Sequence, residues 1–179
     1  MRRLTVVAAF LLAACDGSAV LPTGPSAPES ARFAASNGNG IVQSATGGAQ
    51  RFTAGKFFIL SFQANKHADG TVNGRYHVDA KAANVKFDVV VTCLSVVDNR
   101  AWVGGIIENS DSPIVVNGSS SYFYVIDNGA GANGGVNPPD IVSGLLLNDE
   151  PGAELQFCND QELVLPSRPI DDGNIRVRG

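Results

Sequence analysis

From about Gly38 to Gly179, apolar residues recur at every second position between turns rich in Gly, Asn and Asp, and helical periodicity is almost absent. A period of two is that of half-buried β-strands. The clearest case is Phe58, Leu60, Phe62 and Ala64, alternating with Ile59, Ser61, Gln63 and Asn65. After Ala68-Asp69-Gly70, Val72, Gly74, Tyr76, Val78 and Ala80 alternate with polar residues. Parity chooses the turn between these runs. A two-residue Asp69-Gly70 turn would set Phe62 opposite His77, whereas a three-residue loop over 68–70 pairs Phe62 with Tyr76 and Leu60 with Val78. Only the second keeps both apolar sets on one face, and it places a glycine where the left-handed residue of such loops falls.

Further strands follow. Val85 to Val97 runs to an Asp98-Asn99 turn and returns as Ala101 to Ile107, with apolar residues on both faces. That pair is expected to be central, or covered on both sides. Ser121 to Ile126 and Ile141 to Leu147 read as strands, and Ile175 and Val177, alternating with Arg176 and Arg178, form a last short one. The expectation is an all-β domain of about seven or eight antiparallel strands, a single barrel or alternatively a sandwich. Glycines within strands (Gly74, Gly104, Gly105, Gly144) favour a tightly curved barrel.

The N-terminus has a different pattern. Met1-Arg2-Arg3 is followed by an apolar run from Leu4 to Leu12, then by Ala13-Ala14-Cys15. Charged, apolar and small-residue regions stand in the order of a signal peptide, and the run is too short to span a bilayer. Leu12-Ala13-Ala14-Cys15 resembles the lipobox of bacterial lipoproteins, in which the cysteine is acylated and the signal is cut just before it. The resemblance implies a signal peptide over 1–14, a lipidated Cys15, and an anchor of two or three acyl chains, enough for stable attachment. Asp16 resembles the inner-membrane retention signal of enteric lipoproteins. Residues 15–37, with Pro22, Gly24-Pro25-Ser26 and Pro28, read as the lipidated cysteine and a flexible linker. The all-β domain occupies 38–179.

The full chain carries a formal charge of −4, and removing Arg2 and Arg3 with the signal makes it more acidic. A mildly acidic chain of scattered charge has no electrostatic footprint for nucleic acid. Cys93 and Cys158 are the cysteines left beside Cys15. Outside the cytoplasm a disulfide is the simplest expectation, with two buried thiols or a metal pair as alternatives. Closing a loop of about 65 residues would stabilise the fold by roughly 4 kcal/mol in the chain-entropy model.

Candidate chemistry is sparse. The longest irregular stretch runs from Asp127-Asn128-Gly129 to Pro138-Pro139-Asp140. Its carboxylates, Asp127 and Asp140, are weak candidates for calcium, which wants six to eight oxygens, but the spacing matches no calcium-loop pattern. Plain Asn/Gly/Pro connection is the commoner meaning of such a loop. Asp149-Glu150 and Asp171-Asp172 read as turns. The register puts His67 and His77 on the polar face about 20 Å apart at ~3.3 Å per residue, too far to act together. No nucleophile elbow or phosphate-binding glycine loop is present. Trp102, Tyr122, Phe123 and Tyr124 line a ligand face or, more commonly, fill a core.

One set of motifs resembles a family of uncharacterised exported bacterial proteins. It comprises Phe62 with Asp69-Gly70 and Gly74, then Thr92-Cys93-Leu94-Ser95-Val96 with Asn99, Ala101 and Gly104-Gly105, and finally Val125-Ile126-Asp127-Asn128-Gly129 with Pro138-Pro139-Asp140 and Ser143. The likeness covers about residues 38–147. It implies export and a β fold and assigns no activity.

These readings together lead to the expectation of a lipid-anchored binding or structural module of the bacterial cell envelope. Its domain would lie outside the cytoplasm, without catalysis or cofactor, and meet a small ligand, a glycan or another envelope protein. The competing expectation is a small barrel enzyme acting through isolated carboxylates such as Asp127 or Asp140. The two differ in what they require: an internal cavity or an apolar patch for binding, a deep pocket around a desolvated carboxylate for catalysis.

Overall fold

The structure is a computed structural model that describes residues 40–53, 55–129, 138–161 and 165–179. The signal peptide, Cys15, the linker and the middle of the 127–140 loop lie outside the described residues. Ten strands and a helix follow one another: β1 Ile41–Thr53, β2 Lys56–His67, β3 Val72–Ala80, β4 Val85–Val97, β5 Arg100–Ser110, β6 Ser120–Ile126, β7 Ile141–Ser143, β8 Leu146–Asn148, α1 Ala153–Asp160, β9 Ser167–Pro169 and β10 Asp172–Arg178. They form a single antiparallel sheet, ordered β10-β1-β2-β3-β4-β5-β6-β7-β9 with β8 beside β6, curled into a half-barrel.

The β2–β3 hairpin has the register that parity required. Phe62 pairs with Tyr76 and Leu60 with Val78, and Gly70 closes the loop at φ 86. The apolar positions of these strands, with Ala45, Val89, Val103 and Phe123, fill the inside of the curl. Phe123 meets both Phe62 and Tyr76 edge-on, at centroid distances of 5.4 and 5.1 Å.

The strand count exceeds the expected seven or eight for three reasons. The short edge strand β9 (Ser167–Pro169) has no alternation to read. β1 alternates Ala45, Gly47 and Ala49 inward, so the middle of the strand has no large apolar residue to announce it. These small residues permit close approach: a Cβ on Gly47 would lie 2.5 Å from the Asn174 carbonyl oxygen. The stretch expected as one strand from Ile141 to Leu147 breaks at Gly144, and its halves β7 and β8 pair with different parts of β6.

The helix α1 was not legible as a helical period. It lies on the outer side of β4, β5 and β6, where Phe157 and Cys158 pack against Cys93, Trp102, Tyr122 and Tyr124 in a second core. That explains the two apolar faces of the central strands. Cys93 and Cys158 are joined by a disulfide with their Cα atoms 6.2 Å apart, within the usual span. Gly104 is the seat of the helix, since a Cβ there would meet the Cys93 sulfur and the Glu154 Cβ, each at 2.8 Å. Among the described residues no helix is long and apolar enough to cross a membrane.

Candidate functional site

Three places hold the side chains that could carry chemistry. The first is the seam between β10 and β6–β7, where the described residues show no ladder. β10 is an edge, and the N–H groups of an edge strand invite partners. Here Asp127 Oδ2 accepts the Val177 N–H at 2.9 Å and Asp140 Oδ2 accepts that of Ile175 at 2.8 Å. The remaining carboxylate oxygens accept the N–H groups of Gly129 and Asn128, both at 2.8 Å. Asn99 donates its side-chain amide to the Asp127 carbonyl, and Asn128 donates its own to that of Pro139. The two aspartates thus stand in for the ladder carbonyls the sheet lacks. All four carboxylate oxygens are hydrogen-bonded to the backbone, so both aspartates are engaged in holding the seam. Among the described residues no group of three or more His, Cys, Asp or Glu side chains gathers as a metal site.

The second place is the outer face of β2–β4. Ser61, His77 and Asp88 stand in register on adjacent strands, and His77 Nδ1 lies 2.8 Å from Asp88 Oδ1. The sequence reading found no partner for this histidine. Asp88 was hidden because it required the β3–β4 register, which the alternation of Val85, Phe87 and Val89 against Val78 and Tyr76 would have supplied. The row resembles a triad only in composition. Among the described residues no hydrogen bond joins Ser61 to His77. The backbone N–H groups around Ser61 serve the ladders, so no pair is free to hold an oxyanion.

The third place is the mouth of the half-barrel, formed by the β1–β2 turn, the β3–β4 turn, the 111–119 segment and the β7–β8 link. A cleft of about 410 Å³ opens there, with walls that include Phe58, Val78, Val85, Phe87, Val115 and Leu145, and with Arg51 also in its lining. Its rim carries exposed apolar side chains, among them Ile114 (74 % exposed) and Leu147 (42 %). Arg51 continues the inward series Ala45, Gly47, Ala49, and it pairs across with the inward Phe58. Arg168, exposed on the edge strand β9, pairs with the buried Val142 and so stands on the same side of the sheet, at the rim. Burial is the main influence holding the Arg51 guanidinium below its ordinary titration range. The like charge of Arg168 adds to it, and Asp171 acts in the opposite sense.

Of the other expectations, Phe123 belongs to the barrel interior and Trp102, Tyr122 and Tyr124 to the core under α1. All four fill cores, as the commoner reading has it, and the sheet divides them between two cores by parity. Glu154, unanticipated, is buried under the helix and accepts hydrogen bonds from Thr92 and Ser120. The Tyr76 hydroxyl and its neighbour Ser121 lie inside the barrel without an aligned hydrogen-bond partner among the described residues. Burial, with a smaller contribution from Glu154, pushes the Tyr76 phenol above its ordinary range, against the pull of Ser121. Comparison with protein-family models, curated proteins and solved structures gives no match.

Proposed function

We propose that the domain is a non-catalytic binding module of the bacterial cell envelope, held by lipid on Cys15, which takes a small apolar ligand into the mouth of its half-barrel. The observation that carries this reading is the cleft itself. Its volume falls within the ~300–1,000 Å³ of small-molecule sites, and apolar walls with a few polar groups are their usual composition. The Leu12-Ala13-Ala14-Cys15 motif supports the anchor. The chain enters β1 at the end opposite the cleft, where Ala68 donates to the Gly40 carbonyl. A strand of 13 residues separates that entry from the mouth by roughly 40 Å at ~3.3 Å per residue.

The test uses Nile red, a neutral apolar dye, and Ala83→Trp. Ala83 is exposed in the β3–β4 turn and lines the cleft, so an indole there fills the cleft without entering the core. Saturable, one-to-one binding by the parent protein, lost in the variant while its circular dichroism is unchanged, is the expected result. Equal binding by both proteins, or binding by neither, overturns the proposal.

A further inference from the structure

Resting on that reading, we infer that the ligand is a single-chain amphiphile with a carboxylate head, its tail in the cleft and its head at Arg51 and Arg168. Three observations converge. The walls described above are hydrocarbon, suited to an alkyl chain and offering little to a polyol. The charge at the mouth is then unbalanced. Arg51 lines the cleft, Arg168 stands exposed on the same side of the sheet and repels it, and the acidic group acting on Arg51 is Asp171. One Asp171 oxygen is already occupied by the Phe52 N–H at 2.6 Å, and among the described residues Arg51 makes no ion pair within 4 Å. Of the charges that act on Arg51, two cations stand against one carboxylate, and a monocarboxylate head complements that excess.

The third observation is the cost of the arrangement. A guanidinium on the inner face of a sheet is desolvated, and a second one near it adds repulsion. Leucine or valine would complete the apolar wall at position 51 with no such penalty. An arginine there is suited to an incoming anion, to which its fork offers two parallel N–H donors. The tail supplies burial, and the head fixes which way the ligand enters.

Isothermal titration with decanoate, 1-decanol and decyltrimethylammonium, each below its aggregation threshold, separates the possibilities. Decanoate is expected to bind about tenfold or more tightly than decanol, the size of one charge-assisted contact, and the cationic amphiphile to bind worst. Arg51→Gln should bring decanoate and decanol within about twofold of each other, whereas Arg51→Lys should keep most of the preference. Equal binding of all three amphiphiles by the parent overturns the anionic head while leaving the apolar cleft intact. Binding of none, with Nile red also excluded, removes the cleft reading as well. Uptake only onto vesicles of anionic phospholipid, with free decanoate ignored, would replace the soluble amphiphile by a membrane surface.

Discussion

The seam and the mouth both place charge where a β-domain ordinarily has none, and they handle it in opposite ways. At the seam, Asp140 is fully buried, yet each of its oxygens receives a backbone N–H at 2.8 Å. Its oxygens accept N–H groups that would otherwise be orphaned, and the benefit is mutual. At the mouth, Arg51 has no comparable set of acceptors among the described residues, and the like charge of Arg168 makes its position worse. A saturated charge is part of the architecture, whereas an unsaturated one at the edge of an apolar cleft is a place for something else to bind. The contrast reverses what the sequence suggested, because Asp127 and Asp140 drew the chemical expectations and Arg51 drew none.

The largest effect should come from breaking the seam at its centre. Asp140→Ala leaves the Asn128 and Ile175 N–H groups without their acceptor, at about 1–3 kcal/mol each when buried. The expected loss is about 3 kcal/mol, or roughly 6–12 °C in Tm for a domain of this size, measured by reversible urea or thermal unfolding. The affinity for decanoate per folded molecule should be unchanged. A stable Asp140→Ala protein that no longer binds would mean that the seam, and not the mouth, is the site.

Asp127 provides a graded comparison. It makes the same two kinds of bond, but it is half-buried and the Gly129 end is exposed, so water can replace part of what is lost. Asp127→Ala is expected to cost about 1 kcal/mol, clearly less than Asp140→Ala. Equal costs would show that burial does not set the strength of the seam.

How much of this was legible follows from where the signals were local. The β2–β3 register could be deduced because large apolar residues alternate on both sides of one short loop, leaving a single parity that works. The disulfide was legible because Cys93 and Cys158 are the two cysteines left beside Cys15, and one pairing joins them. The inward direction of Arg51 was not, because β1 packs through Ala45, Gly47 and Ala49. An alternation of small residues is invisible to a hydrophobicity pattern, and without β1 the arginine has no face. α1 escaped for a related reason: in eight residues, Glu154, Phe157 and Cys158 are the buried set, too few to display a period. The roles of Asp127 and Asp140 depend on β10, which arrives some 35–50 residues later in the chain. The loop motif could be seen, but not the edge it closes.

The smallest expected effect is also the one that most sharpens the contrast. Arg51→Leu exchanges a partly desolvated cation for a side chain that matches the cleft wall. It removes the desolvation of the guanidinium together with the repulsion from Arg168 and the attraction to Asp171, two charge effects that oppose each other, and the remaining charge balance is worth only ~0–1 kcal/mol. Unfolding free energy should therefore change by no more than about 0.5 kcal/mol, with a slight gain favoured by the added apolar contact. The same substitution should abolish the preference for decanoate over decanol. Stability held while selectivity is lost identifies a residue kept for binding. A loss above about 1.5 kcal/mol would instead make Arg51 the structural counterpart of Asp171, and the mouth would then handle its charge as the seam does.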